Sequence, residues 1–346
     1  MLLCNFNVNN LFVRYRFGKT FPGDRGSQSR VTSTTYGYLP LYQPGAFEVF
    51  NPAQRELAAL AITQGGTVLP DVICIQEVES LIALREFNEK FLGGRYRYAV
   101  VLDSRDLRQI DVGILSMLPI DSVATHVDDV KAGEYIFSRD CLEARVRLKS
   151  GRFVTFFINH FKSKLAIGAD EEARAAAKRR GDAKRQLQAR STLDIVRGRF
   201  PGDAFGKEYF AVLGDLNDTP PAPQLKSLLH GSGLVDAIAT LPPEARWTHY
   251  WKAKNSVSQL DHLLLSPALA SSLHKKAGVW MERRGIGYRS LSKKPEGGLL
   301  PKTVRLETIE DDPAPLALDF QFDRFDSVSD KSVASDHCAV FARFKI

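Results

Sequence analysis

The sequence predicts an α/β sandwich in which two sheets pack together with helices outside, and three observations carry that prediction. Short apolar runs of strand length alternate with helix-like segments along the 346 residues. The helices fall between pairs of strands, without the regular βαβ chain of a doubly wound sheet. Polar residues recur where the apolar runs end, the place where a strand opens onto a loop and function usually sits.

Taken in order, residues 2–8 read as a first strand. The N-terminus lacks a basic n-region, a long apolar stretch and a small-residue cleavage site, so it does not read as a signal peptide. Residues 13–50 are rich in Gly, Pro, Ser, Thr and Tyr, carry Arg14, Arg16, Lys19, Arg25 and Arg30, and read as one long loop insertion. Asn51 and Pro52 read as a helix cap with proline at the first helical position, opening a helix to about Gln64. DVICIQ at 71–76 is a buried strand, and residues 79–91 form a helix. Residues 96–102, 112–116, 141–148 and 153–159 are strands. A long helix runs from Asp170 to about Val196, with Asp170, Glu171 and Glu172 at the end where its dipole favours acid. Residues 209–213, 259–265 and 339–345 complete the strands. Residues 270–335 hold few periodic segments and read as a second long insertion, acidic between Glu307 and Asp330, so the chain 1–346 reads as a single domain with two insertions.

Composition narrows the class. The chain is 44% hydrophobic and 25% charged, which excludes collagen-like and disordered chains. No run approaches the roughly 18 apolar residues of a membrane span. The net charge of +7 favours a polyanionic partner. Cys4, Cys74, Cys141 and Cys338 are far apart with no CxxC pair, and read as buried reduced thiols of a reducing compartment. A cytoplasmic location follows as the expectation, with no stable membrane association and a monomer favoured.

Six polar strand ends could carry chemistry. Asn5, Asn7 and Asn9 share one side of the first strand by alternation. Glu77 ends DVICIQ, where a carboxylate calls for a metal ion or an arginine unless it is a plain loop residue. Asn159-His160-Phe161-Lys162-Ser163-Lys164 offers a proton donor and a phosphate contact. Asp215 and Asn217 in GDLND suit a phosphoryl group or a metal-bound water, or a tight Asx turn. Asp261 interrupts the apolar run QLDHLLLS and needs a partner. Asp336 and His337 precede the last strand, and Asp–His pairs orient bases in hydrolases. No GxSxG elbow, Walker loop or GxGxxG is present. What remains is carboxylate, Asn and His with a hard metal, a set suited to phosphoester hydrolysis.

The ordered series FNVNNL, IQEVE, NHFKSK, GDLND, QLDHLLLS and SDHCAV resembles the endonuclease/exonuclease/phosphatase superfamily from Asn5 to Val340. NHFKSK, with Trp247-Thr248-His249-Tyr250 shortly before LDHLLLS, is most similar to bacterial nucleases of that group. The resemblance implies a four-layer α/β sandwich of two packed, mostly antiparallel mixed sheets flanked by helices. It implies Mg²⁺ (or Mn²⁺) at Asn7, Glu77 and Asp336, a water-activating base at His337 and its orienting carboxylate at Asp261. It places Asp215 and Asn217 on the scissile phosphate and attacking water, and gives His160 the role of acid or phosphate ligand. Arg139, Lys162 and Asn9 are the implied substrate contacts.

The resulting expectation is a metal-dependent nuclease, with DNA ahead of RNA as its partner, leaving 5′-phosphate and 3′-hydroxyl ends. The alternative is a phosphatase or phosphodiesterase of inositol phosphates or phospholipid head groups, which would use the same residues. A non-catalytic nucleic-acid-binding member ranks last, since Glu77, Asp215 and His337 are all present. The basic, aromatic-bearing loop at 13–42 is the candidate grip on a strand. The nine basic residues from Arg174 to Arg199 read instead as a solvated helix face.

Overall fold

A computed structural model describes residues 1–12, 52–275, 278–286, 303–308, 314–319, 324–329 and 332–346. The expected 13–50 loop and the Asn51 cap lie outside the described residues. The chain opens with β1 (Leu2–Leu11), α1 (Pro52–Thr63), β2 (Val72–Val78), α2 (Leu81–Phe91), β3 (Tyr98–Val101), β4 (Asp111–Ser116) and β5 (Ile120–Ala124). A small hairpin, β6 (Val130–Lys131) and β7 (Glu134–Tyr135), leads to β8 (Cys141–Arg147), β9 (Phe153–His160), α3 (Glu171–Arg199), α4 (Ala204–Lys207) and β10 (Tyr209–Asp215). Then come α5 (Lys226–Leu229), β11 (Val235–Asp236), β12 (His249–Trp251), β13 (Ser256–Ser258), β14 (Asp261–Leu265) and α6 (Pro267–Ser271). The last strands are β15 (Val279–Glu282), β16 (Thr303–Leu306), β17 (Leu316–Asp319) and β18 (Ala339–Arg343).

Two six-stranded sheets are built on one plan. The first runs β15-β18-β1-β2-β4-β3 and the second β11-β14-β10-β9-β8-β5. Each has a single parallel pair at its centre, β1 with β2 and β9 with β10, flanked by antiparallel neighbours. A parallel pair needs a crossover. In the second sheet α3 supplies it, capped by Asp170, whose carboxylate accepts from the Ala173 amide at 2.7 Å.

Alternation sorts the side chains into four layers. Leu3, Val72, Cys74 and Ile114 of the first sheet meet Phe156, Ile158, Leu213 and Leu263 of the second in the central core. Cys4, Phe6, Ile73 and Ile75 point the other way, onto α1 and α2. Phe157, Phe210 and Val212 point onto α3. The layers are therefore helix, sheet, sheet, helix, and the expected mixed α/β sandwich is the observed one. All four cysteines are buried and free.

Three features depart from the sequence reading. The 270–335 region contributes β15 to the edge of the first sheet, and β16 and β17 to a separate sheet ordered β12-β13-β16-β17. Its strands of three or four residues are too short to show a period, and they enclose their own cluster of Trp247, Tyr250, Val257, Val304 and Cys338. Asn9 does not continue the face of Asn5 and Asn7. It takes φ +48°, Asn10 takes +67°, and the β1–β2 register shifts there. Third, the basic face of α3 is not wholly solvated, because Arg185 is buried.

Candidate active site

The site is the last row of the central core, written in polar residues. Val154, Phe156 and Ile158 of β9 face the opposing sheet, and the next residue in that series is His160. Ala211 and Leu213 of β10 lead likewise to Asp215. Leu265 and Leu263 of the antiparallel β14 lead back to Asp261, and Leu3 and Asn5 of β1 lead to Asn7. Strand direction places all four ends at one edge of the sandwich, between the two sheets.

Glu77 reaches this edge by a different route. Strict alternation would send it outward with Ile73 and Ile75. It instead takes φ +65°, and the β2–β4 register shifts between Gln76 and Val78. A bulge of this kind re-aims a side chain. The Glu77 carboxylate thereby turns inward, 3.3 Å from Asn7 Nδ2 and 3.8 Å from His160 Nε2. Left-handed backbone at a non-glycine residue is costly and concentrates at functional sites.

Asp215 is the hub. Its Oδ2 accepts from Asn7 Nδ2 at 3.0 Å and lies 3.4 Å from His160 Nε2 and 3.7 Å from His337 Nε2. Its Oδ1 accepts from the Asn217 backbone amide at 2.8 Å, so the GDLND segment is also the Asx turn its composition allowed. Asn217 Nδ2 donates to the Phe161 carbonyl at 3.1 Å, tying this turn to the NHFKSK segment. Gly214 is required here. Its φ is +128°, and a Cβ would fall 1.9 Å from the Asn159 carbonyl oxygen on β9.

The Asp261 partner is His337. Nδ1 of the imidazole lies 2.7 Å from Asp261 Oδ2, both residues being buried. Ser335 holds the approach, its hydroxyl donating to the Asn7 carbonyl at 2.7 Å and accepting from the His337 amide at 3.0 Å. Thr248 Oγ1 accepts from the backbone amides of Leu260 and Asp261, and its carbonyl accepts from the Cys338 amide.

Electrostatics divide the two histidines. Burial works to lower the pKa of His337, but the carboxylates of Asp261 and Asp215 outweigh it and raise the value well above that of free histidine. Burial, with the charges of Arg139 and His337, drives His160 well below it, so His160 is neutral. Burial raises Glu77 and Asp215 as well, reinforced at Glu77 by the nearby charge of Asp336 and at Asp215 by that of Asp261. Crowded carboxylates of this kind are relieved by a cation.

The remaining expected residues are placed as follows. Asp336 sits on the rim, its side chain 48% exposed and 3.8 Å from His249 Nε2. Arg139 is buried one layer below, its Nε on Asp106 Oδ2 and its Nη1 on the Phe161 carbonyl, both at 2.8 Å. It braces the backbone next to His160. Lys162 is half-buried, and burial among Arg139, Arg108 and Arg185 lowers its pKa. The Asn9 amide donates to Asn7 Oδ1, and its own Oδ1 accepts from Asn10, so the structure does not bring its side chain to the cluster.

Two participants had gone unassigned. His249 packs 4.8 Å from the His337 ring, and its Nδ1 is buried without a partner. The stretch Trp247–Tyr250 was its only sequence signal. Arg185 of α3 donates to Asp218 Oδ2 at 3.0 Å, to the Lys162 carbonyl at 3.1 Å and to Asp182, clamping the NHFKSK and GDLND loops together.

The donor set suits a hard cation. Among the described residues no three His, Cys, Asp or Glu side chains form a ready-made metal cage. Mg²⁺ does not need one, since it is held by one or two carboxylates with water and substrate phosphate completing the octahedron. Oxygen donors at Glu77, Asp336 and Asn7, with carboxyl pKa values raised at Glu77 and Asp215, fit that mode.

A sequence profile of the Endonuclease/Exonuclease/phosphatase family matches residues 6–276. A search among curated proteins finds no match. Several solved structures share the fold. The catalytic domain of human Nocturnin with a bound sulfate anion is 12% identical with a TM-score of 0.54, covering 100% of this chain and 94% of that one. A mannosyl-6-phosphatase of Bacteroides thetaiotaomicron is 15% identical at 0.51, covering 100% of both. The 3′ phosphatase NExo from Neisseria, bound to a product DNA hairpin, is also 15% identical at 0.51 with 100% of both chains covered.

Proposed function

Because this chain belongs to the Endonuclease/Exonuclease/phosphatase family of phosphoester hydrolases, we propose that it is a divalent-metal-dependent nuclease, acting on DNA ahead of RNA. The observation that carries the proposal is the Asp215 carboxylate, with His160 Nε2 at 3.4 Å on one side and the Asp261-paired His337 at 3.7 Å on the other. The net charge of +7 suits a polyanionic substrate. The Neisseria relative bound to a DNA hairpin lends the same choice of polymer support. The chain 1–346 acts as one catalytic domain in this reading.

In its neutral form His337 takes the proton of the attacking water at Nε2 while Nδ1–H stays on Asp261 Oδ2, which fixes the tautomer and stabilises the imidazolium formed. Asp215 accepts the second hydrogen of that water and so points its lone pair at phosphorus. Neutral His160 donates Nε2–H to a non-bridging phosphate oxygen, a role its lowered pKa suits better than proton donation. Asn217 keeps Asp215 in place through its backbone amide. Mg²⁺ or Mn²⁺ held by Glu77, with Asn7 and Asp336 beside it, would stabilise the charge growing on the phosphate oxygens. In-line attack opposite O3′ breaks the P–O3′ bond as the water oxygen bonds to phosphorus, O3′ takes its proton from solvent, and the ends left are 5′-phosphate and 3′-hydroxyl.

The test offers plasmid, single-stranded DNA, RNA and an inositol-phosphate panel with Mg²⁺, Mn²⁺ or chelator. Cleavage of DNA that stops with chelator and leaves 3′-hydroxyl ends is the expected result. Phosphate release from the small esters alone would replace the nuclease with a phosphatase.

A further inference from the structure

We infer that Trp251 is a base-stacking platform, and that the nucleotide next to the scissile phosphate lays its base on this indole. The inference rests on the nuclease reading above and adds a specificity-determining residue to it.

Trp251 ends β12, two residues beyond His249. Residues two apart share a face, so the indole projects on the same side as His249, about 6.5–7 Å along the strand. His249 is already part of the site, against His337 and Asp336. Tyr250 between them points into the cluster behind the sheet. The cross-strand partners on the front face are Ser256 opposite Trp251 and Ser258 opposite His249, both too short to cover an indole. Trp251 consequently keeps 46% of its surface exposed.

The surroundings are cationic. Lys254 Nζ lies 4.3 Å from the centre of the Trp251 ring system, and exposed Arg305 is the neighbour of Ser256 across the β13–β16 ladder. Residues 249–258 contain Lys252 and Lys254 and no Asp or Glu. An exposed aromatic ring with an ammonium over it, one nucleotide's reach from the proposed phosphate site, combines the stacking surface and positive charge by which single strands are held without reading their sequence. An occupant touching both His249 and Trp251 must carry its flat group within about 7 Å of its phosphate, as a nucleoside phosphate does.

The test uses the full-length protein with an eight-residue oligothymidylate and an abasic sugar-phosphate of equal length. Affinity is read by anisotropy in a His337→Ala background, where the strand persists, and kcat and KM are read in the His337 protein. Trp251→Ala should weaken oligothymidylate binding about 5- to 150-fold and raise KM with kcat little changed. The loss should be absent on the abasic strand, and Trp251→Phe should restore most of the affinity. The ratio of kcat/KM on oligothymidylate to that on methyl p-nitrophenyl phosphate should fall by the same factor. Equal binding of oligothymidylate by wild type and Trp251→Ala overturns the platform, while continued cleavage leaves the nuclease reading standing. Binding that depends on Trp251 without any cleavage upholds the platform and removes the nuclease. No binding of nucleic acid, with Trp251 emission shifting to the blue on phosphatidylserine vesicles, overturns both and assigns the indole to a lipid surface.

Discussion

His337 and His160 are the same residue type, a few ångströms from the same carboxylate, yet they sit on opposite sides of neutrality. Asp261 bonds His337 directly, whereas His160 has a buried Nδ1 with no partner. The first environment raises a pKa and the second lowers it. In metal-free protein His337 should therefore still be protonated at pH 6.5 and lose its proton well above that, as followed by ¹⁵N NMR of the ring. The sign for stability follows. The pair stabilises the fold fully below the free-histidine value near 6.5, and that contribution fades as pH rises through the elevated folded value. Asp261→Asn should move the titration down, as should Mg²⁺. A His337 signal that titrates as free histidine in both proteins would contradict the account. Local pattern showed the dyad only as a need, because Asp261 interrupted an apolar run and had to be paired, and it was the ordered motif series that named His337 as the base Asp261 orients. Its partner lay 76 residues away, beyond any local pattern.

At the scale of elements, the clamp on α3 and the entry to β4 carry the clearest consequences. Arg185 is buried and donates to both the NHFKSK and GDLND loops, and Gln188 one turn on accepts from the Lys162 amide at 2.9 Å. Arg185→Met should lower stability by about 3 kcal/mol, because it strips buried Asp218 of one of its cations. It should also lower kcat more than it raises KM. Unchanged kcat in a folded variant would show that the clamp does not position the site. Asp111 opens β4, accepts from the Ser104 amide and hydroxyl, and is pushed up to about 7 by burial. A raised carboxyl pKa favours the fold below the unfolded value, and the benefit is lost as pH rises through about 7. Asp111→Asn should thus stabilise by roughly 2–4 kcal/mol at pH 8 and by almost nothing at pH 4, measured by urea unfolding. Equal effects at both would contradict this. Long elements such as α3 and β9 could be read from periodicity and caps. The three- and four-residue strands β12, β13, β16 and β17 could not, since so short a run holds barely one period.

Across the whole molecule, one rule explains where the chemistry sits. Two sheets share a plan with a parallel pair at each centre; in β9, β10 and β14 the inward-facing residues stay apolar until the last row, where His160, Asp215 and Asp261 stand, while β1 turns polar one step earlier, at Asn5 before Asn7. The polar strand ends were visible in the sequence, but which of them share an edge depended on strand direction and sheet order. Glu77 shows the limit, because alternation alone aims it at the helices and only its left-handed backbone brings it back. In the proposed function this edge is a hydrolytic centre working through His337. The most direct test is steady-state cleavage of DNA with Mg²⁺ by wild-type protein and by His337→Ala of matched thermal stability. The kcat of the variant should fall by about 10²- to 10⁴-fold. Cleavage by His337→Ala within tenfold of wild type would contradict it.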